Sequence, residues 1–225
     1  MCRVDPSDIR HLVVLGHPAP LSFNRLVAHS YMQTVQDCGQ TASLRDLYAR
    51  HFNPCLGQAE RPGGTTAELA PDVKAELGPL HRCAVLVLVY PLWFGGPPAI
   101  IKGYVDRILG AGFPLSALKP SGVELRCTGK RLVMLTSSAS GRPWLEERGH
   151  WLALRRAFDE YLATIFGFDA VEHLHFDAIV PDLTKHRIME NLAALRECAR
   201  HVCADVFAER HRAHTALIMA KREVA

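Results

Sequence analysis

The 225-residue sequence lacks any stretch near the roughly 18 apolar residues that a membrane-spanning helix needs. Its start, Met1-Cys2-Arg3-Val4-Asp5-Pro6, has no apolar core of a secretory leader, so the expected location is the cytoplasm, without membrane insertion. Charge of one sign is also scarce. Against 26 Lys and Arg stand 23 Asp and Glu, and a net charge of +3 makes no demand for nucleic acid. The seven cysteines (Cys2, Cys38, Cys55, Cys83, Cys127, Cys198 and Cys203) form no CxxC pair and no regular framework, which leaves reduced thiols as the simplest account. A glycine-rich GxGxxG is missing too, and that weighs against a dinucleotide Rossmann fingerprint.

What is present is an ordinary globular composition, 48% hydrophobic and 22% charged, enough for one domain over residues 1–225 with residues 1–8 and about 211–225 as tails. The chain is organised around residues 83–112. Cys83-Ala84-Val85-Leu86-Val87-Leu88-Val89 is a continuous apolar run of strand length that stops at Tyr90-Pro91, where proline denies the next ladder hydrogen bond. Pro97 and Pro98 fit the first turn of a helix that Gly110 and Gly112 end. Further strands are expected at 10–16, 41–48, 130–136 and 171–177, with helices over 24–38, 72–82, 152–166 and from Pro181 to Val206. Five strands alternating with helices predict an α/β fold: an open five-stranded parallel sheet with helices on both faces. Residues 56–71, rich in Gly, Pro, Thr and Glu, predict an exposed excursion, and 112–127, with Lys119, Glu124 and Arg126, an irregular insertion.

Open parallel sheets bind ligands beyond the carboxyl ends of their strands, which draws attention to three loops. After the central strand come Leu92-Trp93-Phe94-Gly95-Gly96, two rings that either face a planar ligand or plug a gap. After the first strand come His17-Pro18-Ala19-Pro20-Leu21-Ser22-Phe23-Asn24, with Ser22 or Asn24 as helix cap and the N–H groups a phosphate requires. His17 is there either a ligand contact or a loop histidine bonded to backbone. After the fourth strand, Ser137-Ser138-Ala139-Ser140-Gly141-Arg142-Pro143-Trp144 begins with small hydroxylated residues whose backbone can approach a flat ring closely. His173 and His175 share one strand face without a third ligand at metal spacing, so they are taken as a polar sheet face and no metal is expected.

The run Tyr90-Pro91-Leu92-Trp93-Phe94-Gly95-Gly96-Pro97-Pro98-Ala99-Ile100-Ile101-Lys102-Gly103-Tyr104-Val105-Asp106-Arg107, followed by Gly112-Phe113, resembles the signature of the flavodoxin-like NAD(P)H:quinone oxidoreductases. The resemblance implies strand order 2-1-3-4-5 and a flavin, FAD first and FMN as the alternative. It implies NAD(P)H as electron donor, a quinone as acceptor, ping-pong hydride transfer through one pocket, and a homodimer. Carried over residue by residue, it assigns the cofactor to His17, Ser22, Phe23, Asn24, Pro91, Leu92, Trp93, Phe94, Thr136, Ser137, Ser138 and Gly141. Arg187 is either a contact to the nucleotide half or a solvated charge. Trp144 stands where these enzymes carry a tyrosine and His150 where they carry a histidine, which makes the two the catalytic candidates. Tryptophan can stack and donate but cannot relay a proton, so His150 would act alone or through water. The rival class is a flavin-binding regulatory subunit, for example of a transporter, with weak turnover. A third, a flavodoxin-like electron carrier, fits poorly with a positive net charge.

Overall fold

A computed structural model describes residues 4–63, 69–113 and 126–223. Of the expected insertion at 112–127, residues 114–125, with Lys119 and Glu124, lie outside the described residues. Five strands form one parallel sheet: β1 Arg10–Leu15, β2 Thr41–Asp46, β3 Val85–Pro91, β4 Arg131–Ser137 and β5 Ala170–Phe176, in the order β2-β1-β3-β4-β5. The helices are α1 Phe23–Asp37, α2 Pro71–Arg82, α3 Ala99–Tyr104, α4 Arg142–Glu147, α5 His150–Leu154, α6 Tyr161–Phe166 and α7 Lys185–Glu223. π-Helical turns continue α3 over Val105–Leu109 and join α5 to α6 over Arg155–Glu160. Among the described residues no helix is long and apolar enough to cross a membrane.

Every residue of β3 and β4 is buried, as strands covered on both faces must be. Alternate side chains feed two cores. Leu12, Val14, Leu86, Leu88, Leu132 and Met134 join the core that includes Leu80, Tyr104 and Phe158, whereas Val13, Leu15, Val87, Val89, Val133 and Leu135 pack with α1 and α7. α7 buries one stripe, Leu192, Leu195, Ala199, Val202, Cys203 and Val206, and continues beyond His211 as helix.

Several boundaries differ from expectation for identifiable reasons. β3 runs through Pro91: the missing N–H falls on the β1 side, where pairing stops at Val89, while Leu92 N–H still donates to Ser137 O at 2.7 Å. Pro97 and Pro98 precede α3 instead of forming its first turn, with Pro98 as the extended N-cap. Residues 142–147 form the short helix α4, entered through Pro143, where a loop was expected. The excursion after Leu56 is not wholly exposed either, because Glu60 and Leu69 are buried.

α3 crosses the β2–α2 connection so closely that a Cβ at Gly103 would stand 2.4 Å from both Cα and O of Pro54. Helix propensity alone would make Gly103→Ala stabilising by about 1 kcal/mol. Backbone cannot retreat as a flexible side chain can, so the expected result is a loss of at least ~2 kcal/mol, read as a lower urea midpoint.

Candidate active site at the carboxyl edge of the sheet

β1, β3 and β4 all deliver their loops to one edge, and between them lies a cavity of about 690 Å³. Pro91, Leu92 and Trp93 line it from the end of β3, and Ile179, Val180, Pro181, Leu183 and Ile188 line it from the β5–α7 loop and the start of α7. Ser22, Phe23 and Asn24 at the start of α1, His17, and Ser137, Ser138 and Ala139 complete it. The lining thus combines apolar side chains with the polar groups of His17, Ser22, Asn24, Ser137 and Ser138.

Ser22 caps α1, its Oγ accepting from Arg25 N–H at 3.2 Å, which leaves the N–H groups of Phe23 and Asn24 without an intrahelical partner. No acidic residue occupies the first turn, so the positive end of the helix faces the cavity uncompensated. Asn24 is buried and its Oδ1 accepts from Ser137 Oγ at 3.0 Å, tying the helix start to the end of β4. His17 Nδ1 accepts from Ala19 N–H at 3.0 Å, which puts the neutral ring's proton on Nε2. Burial, with a smaller push from Arg25, lowers the His17 pKa and keeps the ring a neutral donor.

Trp93 N–H donates to Gly96 O and Gly96 N–H to Trp93 O, at 3.0 and 3.2 Å, closing a two-residue hairpin. Both central residues have positive φ, 51° at Phe94 and 84° at Gly95, the type I′ turn that matches strand twist. The turn holds the Trp93 ring, 41% exposed, against the cavity 5.8 Å from His17, and sends Phe94 wholly into solvent.

Of the residues named from sequence, nine therefore line this cavity: His17, Ser22, Phe23, Asn24, Pro91, Leu92, Trp93, Ser137 and Ser138. Thr136 lies behind the wall, fully buried, and Gly141 serves as N-cap of α4. Arg187 pairs with Asp177 and Glu190 on the first turn of α7, outside the lining. Trp144 and His150 stack on each other at 5.4 Å, with Arg148 over the indole, and do not line the cavity. The β5–α7 wall was not anticipated, although Ile179-Val180-Pro181 follows a strand at the same carboxyl edge.

His173 and His175 share one face as expected, but that face is closed. Trp151 covers both rings at 4.8 and 5.0 Å, and each imidazole is hydrogen-bonded at both nitrogens. Among the described residues no group of three or more His, Cys, Asp or Glu is arranged to hold a metal.

Burial pulls the pKa of His175 down to about 4, helped by the neighbouring His173, and pulls that of His11, between Tyr31 and Gln40, equally low. Since these folded values lie below the unfolded value of 6.5, the unfolded chain binds more protons between the two. The stabilisation from neutral rings is then complete above about pH 6.5 and lost as pH falls towards 4. A urea midpoint that declines over that window, with a shallower decline in His11→Gln, is the expected result.

Fold and cavity together define an α/β protein of the doubly wound kind, with a cavity at the carboxyl edge of a 2-1-3-4-5 sheet, where such folds bind ligands. The flavodoxin-like fold family matches residues 9–199, and the chain belongs to it, among the NAD(P)H oxidoreductases and quinone reductases. It is 30% identical over 194 residues to the "Uncharacterized NAD(P)H oxidoreductase" of Haemophilus influenzae, covering 85% of this chain and 96% of that one. To the NAD(P)H dehydrogenase (quinone) 1 of Rattus norvegicus it is 28% identical over 149 residues, 59% of this chain but only 54% of the rat protein. Among solved structures, the NAD(P)H:quinone oxidoreductase from Methanothermobacter marburgensis superposes with TM-score 0.74 at 24% identity, covering 86% of this chain and 96% of that one. An FMN-dependent NADH-azoreductase from Bacillus anthracis, in complex with FMN, gives 0.56 at 13%, covering 87% and 99%. These two likenesses concern the fold.

Proposed function

We propose that the chain reduces quinones by two electrons at the expense of NAD(P)H, through a flavin held in the carboxyl-edge cavity. The observation that carries this is the cavity's lining: apolar side chains together with a capped helix N-terminus that has no acidic residue in its first turn. A flavin bound there would supply the two-electron redox chemistry between NAD(P)H and the quinone.

The chain's own part is binding and orientation. Phe23 and Asn24 N–H groups, Ser22 Oγ and His17 Nε2–H would hold a phosphate at the positive end of α1. Pro91, Leu92 and Trp93 would lie along one side of the ring, and Ser137 and Ser138 at its polar edge. Ile179, Val180 and Pro181 would keep water from the opposite side. Nicotinamide and quinone would use the remaining space in turn, the ping-pong order. These residues serve the ring and first phosphate, which FAD and FMN share, so we keep FAD as the first assignment and FMN as the alternative.

Phe94, exposed at the hairpin tip beside the site, suits a contact with a second copy, and we assign a homodimer on that basis. The test is to titrate the protein with FAD and FMN, identify the flavin retained after gel filtration with light scattering, and assay NAD(P)H oxidation with menadione. Steady turnover supports the enzyme. Tight flavin with negligible turnover supports the regulatory-subunit reading, and no flavin uptake contradicts both.

A further inference from the structure

Reduction of a quinone by NAD(P)H consumes a proton as well as a hydride: quinone + NAD(P)H + H⁺ gives hydroquinone + NAD(P)⁺. The nicotinamide C–H bond breaks and carries its electron pair to the acceptor. A separate proton must form an O–H bond at the oxygen that changes from carbonyl to hydroxyl. Trp144 cannot relay that proton, and the Trp144–His150 pair lies off the cavity.

A different set of side chains reaches it. Asp159, fully buried on the π-helical turn, meets His173 Nδ1 at 2.5 Å. His173 Nε2 lies 2.6 Å from Thr136 Oγ1, which lies 2.8 Å from His175 Nδ1. His175 Nε2 lies 3.0 Å from Ser138 Oγ, and Ser138 lines the cavity. We propose that Asp159, His173, Thr136, His175 and Ser138 form a proton relay that stores one proton at the Asp159–His173 pair and delivers it from Ser138 to the acceptor. This rests on the functional reading above.

The hydrogen bonds have two self-consistent arrangements that differ by one proton. In the loaded arrangement His173 is protonated at both nitrogens: Nδ1–H donates to Asp159 and Nε2–H to Thr136. Thr136 then donates to His175 Nδ1, His175 Nε2–H donates to Ser138, and Ser138 donates to Ser140 O, 2.8 Å away. In the discharged arrangement every bond beyond His173 Nδ1 is reversed, and Ser138 donates to His175 Nε2. Ser138 has both partners within reach, so it is the switch at the mouth. When it gives its proton to the acceptor oxygen, His175 replaces that proton, Thr136 replaces that of His175, and His173 replaces that of Thr136. Water in the open cavity then reloads the chain.

The surroundings suit storage at the inner end. Trp151 lies over both imidazoles and keeps solvent off, so the path is made of side chains. Asp159 Oδ1 has no hydrogen-bond partner, which favours the neutral Asp⁻–HisH⁺ pair over a bare carboxylate. Arg155 Nε, 3.8 Å from Asp159 Oδ2, offsets the charge left after discharge. Tyr90 also borders Asp159, and Asp177 and Arg142 act on His175 with opposite signs.

Nitrogen-15 NMR of histidine-labelled full-length protein, with no ligand added, tests the relay without any turnover. In the loaded arrangement His173 is expected doubly protonated and His175 in the Nε2–H tautomer. On raising the pH, His175 should change to Nδ1–H at the same midpoint at which His173 loses a proton. Thr136→Val, of nearly the same shape, should abolish that coincidence and Thr136→Ser should restore it. A second reading uses the flavin-loaded protein with menadione: Thr136→Val should lower kcat by about tenfold or more with KM unchanged, and Thr136→Ser should recover most of it. Fixed neutral tautomers throughout, or a Thr136→Val protein with native kcat, would overturn the proposal. If no flavin is taken up, the functional reading fails, and the coupled tautomer change still decides for or against the relay.

Discussion

Arg107→Met is expected to lower folding stability by about 3–5 kcal/mol, a large part of what a domain of this size possesses. Arg107 and Glu60 are each only 4% exposed at the side chain. The guanidinium meets Glu60 through two bonds, Nε to Oε2 at 2.6 Å and Nη2 to Oε1 at 2.8 Å. It also donates to Asn53 O at 2.5 Å and pairs with Asp72. One side chain thus pins the β2–α2 connection and the start of α2 onto the turn after α3. Its removal leaves Glu60 buried without its counter-ion, and that loss dominates.

Replacing both partners removes the stranded charge, so Glu60→Met with Arg107→Met should be more stable than Arg107→Met alone. Chemical denaturation of the two variants checks this. Arg107 also holds the Glu60 pKa down to about 2 from 4.5. The contribution of the pair is therefore complete above about pH 4.5 and disappears as pH falls through 2.

The second large effect separates binding from folding. Ser22→Asp retains an N-cap of equal quality and adds a negative charge where the α1 dipole favours one, so thermal stability should hold or rise. The same carboxylate would occupy the place assigned to a flavin phosphate and repel it. Flavin affinity is expected to fall by about a hundredfold or more, which is ~3 kcal/mol. Fluorescence titration with FMN and FAD measures it, and Ser22→Thr, a cap without charge, should bind close to normally. Native affinity in the Ser22→Asp variant would remove the α1 N-terminus from the site.

Much of this was legible in the chain because β3 is apolar throughout and β4 is apolar from Leu132 to Leu135, as a doubly covered strand requires. The sequence offered Ser22 or Asn24 as the α1 cap, and the structure decides for Ser22. Thr136 shows where a loop-level resemblance falls short. Strand alternation puts Ser137 on the α1 side and turns Thr136 to the opposite face, so only the former meets the cavity. That parity was present in the sequence and outweighs the resemblance of the segment. The π-helical turns, by contrast, leave no period that a helical pattern would reveal, and they are what bring Asp159 to His173. The burial of Glu60 was hidden for another reason, since its partner lies 47 positions away in a segment that reads as polar excursion.

On the proposed function, the carboxyl-edge cavity holds a flavin that NAD(P)H reduces and a quinone reoxidises. This is tested most directly by adding NADPH without oxygen to the flavin-loaded protein and recording the visible spectrum. Rapid bleaching of the flavin bands, followed by their full return on adding menadione, is the predicted result. A protein that takes up flavin yet keeps its absorbance in excess NADPH and NADH would contradict the claim.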